Sequence, residues 1–299
     1  DLRRLGGIVT KSLTLEPRTG NLPPRIAETR GGMLNAIGLE NVGVEAFLRE
    51  KLPALHADVV VVASVFGTEI ELYAEVARRL SASERVAGLE VNASCPHVKS
   101  GGIEFGQNPS LLAELVRAVR RASTRPLLVK LSPNVTSIAE MARVCEGEGA
   151  DAISLINTLQ ALDVDIETRR PVLHNVLGGL SGPAILPIAL RMVWQASRAV
   201  AIPICGIGGI GTAQDAIKFL ICGATAVQVG TASYLNPMAA GEVADGIGEY
   251  ARRHGLTDAE ARATADAIMA ESVRAQEEFA TKIFPTLGLD PSRLPRSGF

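Results

Sequence analysis

Short apolar, β-branched runs alternate with amphipathic stretches of helical period along most of this chain. That alternation predicts a parallel sheet joined by right-handed helical crossovers. Strands are expected at 5–10, 58–64, 86–92, 126–131, 152–157, 202–206 and 226–230, and helices near 44–55, 69–81, 109–122, 137–147, 183–199 and 212–222. Seven strands are one short of a closed (β/α)8 barrel. Because the chain opens on a helix end, DLRRLGG, followed at once by a strand, the missing strand is expected to be the first. The expected fold is thus α/β: a TIM barrel over residues 1–254 that lacks its first strand. A helical, then irregular extension is expected over 255–299, where an Ala- and Glu-rich stretch gives way to Pro285, Pro291 and Pro295.

Composition narrows the partners. With 47% hydrophobic residues in 299, the chain can bury a large core. Thirty basic residues oppose thirty-two acidic ones, a net charge of -2, and the basic residues are scattered. This pattern points to a small-molecule ligand and away from nucleic acid or a membrane surface. No segment approaches the roughly 20 apolar residues of a membrane span. The cysteines at 95, 145, 205 and 222 lack metal-ligand spacing, so no metal is expected, and they fit reduced thiols in a cytoplasm.

Polar residues gather where the strands should end. The segment NASCPHVKSGG (92–102) puts Asn92, Ser94, Cys95 and Lys99 on a glycine-closed turn beyond the third strand. A lone cysteine is more often a small buried hydrophobe; its neighbours here argue for chemistry instead. Thr10, Lys11 and Ser12 end the first strand, Lys130 and Ser132 the fourth, Asn157 and Thr158 the fifth. Lys130 follows Leu127, Leu128 and Val129, and a cation so placed is costly unless an anion faces it. A seat for an anion is read in the last two turns, GIGGIGTAQDA (206–216) and Gly230-Thr231, where glycine lets a phosphate approach backbone N–H groups. The SGP step at 181–183 offers the same close approach before a helix.

These segments together resemble class 1 dihydroorotate dehydrogenases. The resemblance is carried in order by TKSLTLEPRTGN (10–21), MLNAIGLEN (33–41), NASCP (92–96), VKLSPNVT (129–136), INTL (156–159), GGLSGPAI (178–185) and GIGGI (206–210). VKLSPN with INTL looks most like the 1B branch, a catalytic subunit that contains FMN. The resemblance implies oxidation of dihydroorotate to orotate in pyrimidine synthesis, with Cys95 as the catalytic base. It assigns Lys11, Asn35, Ala36, Ile37, Gly38, Leu39, Asn92, Asn157 and Thr158 to the substrate. To FMN it assigns Lys11, Ser12, Ser64, Asn92, Lys130, Ile156, Gly182, Gly208, Gly209, Gly230 and Thr231. It further implies a homodimeric core and a partner subunit whose FAD and iron–sulfur cluster pass electrons to NAD.

Two positions depart from the family pattern. His97 stands where the 1B branch has an asparagine and makes the loop similar to the SCPH loop of dihydropyrimidine dehydrogenases, which act on uracil and thymine. Ser64 stands where the family often has an asparagine. The SCPH loop keeps a pyrimidine-base reductase as an alternative, and the missing first strand keeps a non-catalytic barrel subunit as another.

Overall fold

The computed structural model describes residues 2–93 and 102–255. Seven strands form one parallel sheet: β1 (Ile8–Val9), β2 (Val61–Val65), β3 (Gly88–Asn92), β4 (Leu127–Lys130), β5 (Ala152–Leu155), β6 (Ile204–Ile207) and β7 (Ala226–Gln228). They pair in chain order, with Val62 against Gly88, Asn92 against Lys130, Lys130 against Ser154 and Cys205 against Ala226. β2 and β3 are buried along their whole length, as expected for strands covered on both faces. The sheet curls until β1 and β7 line opposite sides of one cavity, and among the described residues no strand joins them. The observed architecture is therefore barrel-like and open at that seam.

Six helices, α1 (Ile70–Ser81), α2 (Pro109–Ala122), α3 (Ile138–Gly147), α4 (Leu186–Ser197), α5 (Ala213–Ile221) and α6 (Ala239–Arg253), clothe the sheet. Their buried positions follow the helical period: Tyr73, Val76, Ala77 and Leu80 in α1, Leu112, Leu115, Val116 and Val119 in α2. The helix starts are equally local in origin. Asn108 accepts hydrogen bonds from the Ser110 and Leu111 amides ahead of α2, and Thr212 and Asp215 form a reciprocal capping box on α5.

Several elements differ from the expected ones. The helix expected at 44–55 is one α turn, Gly43–Ala46, continued by a π-helical stretch, Phe47–Lys51. α6 falls in a region for which no element was expected. The largest difference is an antiparallel sheet in which Ile26–Thr29, Gly32–Asn35, Gly178–Ser181 and Leu159–Ala161 pair in that order. Its strands come from two distant connections and are four residues or fewer, too short to show a period alone. The expected extension over 255–299, and Cys95, His97 and Lys99, fall outside the described residues, apart from Gly255.

Helix–sheet packing should dominate stability. In urea unfolding, Leu115→Ala, at a fully buried position, should cost about 2–5 kcal/mol through lost transfer energy and a residual cavity. Thr212→Ala, which removes one half of a cap, should cost about 0.5–2 kcal/mol. Equal losses would contradict this ranking.

Candidate active site

All seven strands point their carboxyl ends toward one rim, and a cleft opens there. It consists of a cavity of about 710 Å³ continuous with a second of about 330 Å³; Lys130, Asn157, Thr158, Gln228 and Gly230 line both. The larger holds Lys11, Ser12, Asn35, Ile37, Gly38, Leu39, Ser64 and Asn92, and the smaller holds Ile156, Gly182, Gly208, Gly209 and Thr231. The antiparallel sheet supplies one wall, because Asn35 ends its strand Gly32–Asn35.

A hydrogen-bonded chain of side chains orders the larger cavity. Ser12 and Ser64 share a 2.9 Å hydroxyl contact, Asn92 Nδ2 donates to Ser12 Oγ at 2.9 Å, and Asn157 Nδ2 donates to Asn92 Oδ1 at 3.3 Å. Asn157 Oδ1 then accepts from the Thr158 amide at 2.8 Å. From the helix layer, the Tyr73 hydroxyl donates to the Asn92 carbonyl at 2.9 Å. Four strand ends are thereby linked, and the amide planes of Asn92 and Asn157 are fixed before any ligand arrives. Asn134 secures the next turn: its Nδ2 donates to the Thr158 carbonyl at 3.2 Å, and its Oδ1 accepts from the Gln160 amide at 3.0 Å.

Beneath this chain lies a buried acid. Glu90, with 1% of its side chain exposed, receives hydrogen bonds on Oε2 from Ser154 Oγ at 2.8 Å and Gln228 Nε2 at 3.1 Å. Lys130 Nζ stands 3.9 Å from its Oε1. The anion that Lys130 required thus has a protein source in addition to any ligand. Glu90 was legible on the same ground as Lys130, as the one charged residue in the run 86–92. Gln228 gave no comparable signal.

Glycine backbone forms one wall of the smaller cavity. Gly208 and Gly209 have φ values of 127° and 76°, which side chains rarely adopt, and a Cβ on Gly209 would come within 2.9 Å of the Gly182 carbonyl oxygen. At Gly211 and Gly230 nothing lies within 4 Å of the Cβ position, so the surface is bare. This arrangement fits a phosphate group. The N-terminal amides of Gly211 and Thr212 are already taken by Asp215 Oδ2, at 3.3 and 3.1 Å. Burial opposes the charge of Asp215, yet hydrogen bonds from Thr212 and Gly211 hold its carboxyl below the usual range.

Of the expected site residues that the structure describes, two do not line the cleft: Ser132, whose hydroxyl accepts from the Asn134 amide at 3.2 Å, and Ala36. Ala36 is fully buried against Leu34 and Leu173, and it contributes through its backbone, whose carbonyl accepts from Asn21 Nδ2 at 2.9 Å. Three cysteines are described, and burial pushes all three thiols up, Cys205 to about 12 with the Glu90 charge as the second cause. None of these is placed to serve as a thiolate base. Among the described residues no group of His, Cys, Asp and Glu could hold a metal ion, and no helix is long and apolar enough to cross a membrane.

Similarities to known proteins agree with this geometry. The family model for dihydroorotate dehydrogenase matches residues 1–250. The dihydroorotate dehydrogenase B (NAD(+)) catalytic subunit of Trichlorobacter lovleyi is 58% identical over 259 residues, 86% of this chain and 85% of the relative. The protein of the same name from Geotalea daltonii is 56% identical over the same share. Among solved structures, that of DHODH from Eimeria tenella in complex with ferulenol superposes with a TM-score of 0.69, covering 86% of this chain and 77% of that one, and at 21% identity it shows the fold. This chain belongs to the dihydroorotate dehydrogenase family.

Proposed function

We propose that this chain binds FMN and oxidises (S)-dihydroorotate to orotate in pyrimidine biosynthesis, as the catalytic subunit of a 1B-type enzyme. The observation that carries the reading is the convergence of Lys11, Asn35, Asn92, Asn157, Thr158 and Lys130 on one cleft that ends in a bare glycine wall. The glycine turns at 208–209 and 230–231 would hold the FMN phosphate, and Ser12, Ser64, Ile156, Gly182 and Lys130 would line its ring system. Bound FMN would supply the two-electron acceptor that takes the hydrogen from C6 of the substrate.

The remaining roles belong to side chains of this chain. A planar pyrimidine presents amide donors and acceptors along its edge, and the fixed amides of Asn92 and Asn157, with Asn35 opposite, are chemically matched to them. Lys11 would pair with the substrate carboxylate. Cys95, three residues after Asn92 in the sequence, would take the C5 proton as a thiolate. The relatives' names specify a catalytic subunit and NAD(+), which supports a partner subunit. That subunit would carry FAD and an iron–sulfur cluster and pass electrons onward from a homodimeric, cytoplasmic core.

Anaerobic mixing tests the reading. Dihydroorotate should bleach the flavin absorbance of the FMN-loaded protein, whereas dihydrouracil, which lacks the carboxylate for Lys11, should leave it yellow. Bleaching by dihydrouracil would favour the pyrimidine-base reductase, and protein that takes up no flavin would favour a non-catalytic barrel. Stopped-flow measurement on Cys95→Ala should show flavin retained and its reduction slowed by roughly 10²–10⁴, the range for a lost general base. Cys95→Ser should keep part of the activity, displaced to higher pH, because an alcohol is a weaker acid than a thiol. Turnover with NAD should need the electron-transfer subunit; brisk NAD reduction by this chain alone would contradict that assignment.

A further inference from the structure

Glu90 takes no part in the reading above, yet it is the most deeply buried acid at the cleft. Side chains alternate along β3, so Glu90 shares a face with Asn92 and lies one pleat deeper in the sheet interior. Ser154 on β5 and Gln228 beyond two further strand pairings both donate to its Oε2, which stops the carboxylate from turning away. Its Oε1 makes no hydrogen bond among the described residues and faces Lys130 Nζ at 3.9 Å. Lys130 keeps 24% of its side chain exposed, on the cleft side. A pair serving only stability would be expected to close to hydrogen-bond distance, because an open buried pair does not recover its desolvation cost. Here the acid is anchored by neutral donors from other strands, and the lysine beside it borders the cleft.

We propose that Glu90 is a positioning residue that tethers Lys130 from below and offsets part of its charge, so that the pair, and not the lysine alone, sets how much more tightly the site holds reduced than oxidised flavin. This rests on the FMN reading. A lysine beside a flavin favours the form that gains negative charge, by electrostatics in a site of low dielectric. A fixed carboxylate 3.9 Å behind it opposes that preference and lowers the flavin's potential.

The test is redox titration of the FMN-loaded protein against reference dyes. Glu90→Gln keeps the shape and can still accept from Ser154 and Gln228, but it removes the charge. Its flavin should favour the reduced form about tenfold more than the parent does, a shift of about 30 mV to more positive potential for a two-electron couple. Glu90→Asp, which keeps the charge but withdraws it from Lys130, should shift the same way by less and serves if the glutamine variant does not fold. In a Lys130→Met background, Glu90→Gln should lose most of its effect, since the coupling runs through the lysine. Parent potential in a flavin-loaded Glu90 variant would overturn the proposal, as would an undiminished shift in the Lys130→Met background. Parent protein that takes up no FMN would instead count against the flavin reading itself.

Discussion

Parallel pairing is the constraint on which the rest of the molecule depends. When seven strands run in one direction, every strand delivers its carboxyl-terminal residues to the same rim, and residues more than a hundred positions apart become neighbours. The contact of Ser12 with Ser64, the bond from Asn92 to Ser12 and that from Asn157 to Asn92 together span four strand boundaries, from β1 to β5, and exist because the registers are in step. A slip of one residue in β3 would turn Glu90 and Asn92 outward and bring Leu89 and Val91 to the cleft side.

Against that frame, the cleft combines stiff side chains with bare backbone. Fixed amides in the larger cavity suit a planar polar ligand whose edge must be read. The smaller cavity, walled by Gly208, Gly209 and Gly230, suits a group recognised by backbone. The two surfaces are made differently. Amides are held by other side chains across strands, whereas Gly208 and Gly209 sit in a turn that leaves little room for a Cβ and Gly230 leaves its surface open. The antiparallel sheet joins the two, since Gly179 lies so close to Thr158 that a Cβ there would overlap its hydroxyl.

The interior beneath the rim is not a uniform apolar plug. Glu90, Ser154 and Gln228 form a polar layer there, with the Cys205 thiol kept neutral by burial and by the acid beside it. Placing an acid in such a layer is costly unless its oxygens are met, and two neutral donors and one lysine meet them in part. That incomplete satisfaction distinguishes this layer from the helix–sheet interface outside it, where α1 and α2 bury mainly apolar side chains and the Tyr73 hydroxyl is met by the Asn92 carbonyl.

The parallel sheet, its strand order and the polar and glycine residues at the strand ends were legible in the sequence because those features are written in local terms; the rest of the cleft's lining came from the family resemblance. Apolar runs of strand length alternate with helical periods, and Lys11, Asn92, Lys130 and Asn157 sit at the ends of such runs, where side chains must leave the core. Glycine turns are local in the same sense, since a positive φ is a property of one residue. Only the tertiary structure decided what pairs with what at a distance. The antiparallel sheet joins two local pairs of strands, each of four residues or fewer, across more than a hundred positions, and no period survives in segments so short. Ala36 lies in a motif with lining residues on both sides, yet it turns inward, because the pocket formed by Leu34 and Leu173 is assembled by that same distant pairing. Lys130 announced that it needed an anion; that Glu90 of the adjacent strand supplies one at 3.9 Å was settled by strand register and by donors from β5 and β7, which no local pattern encodes.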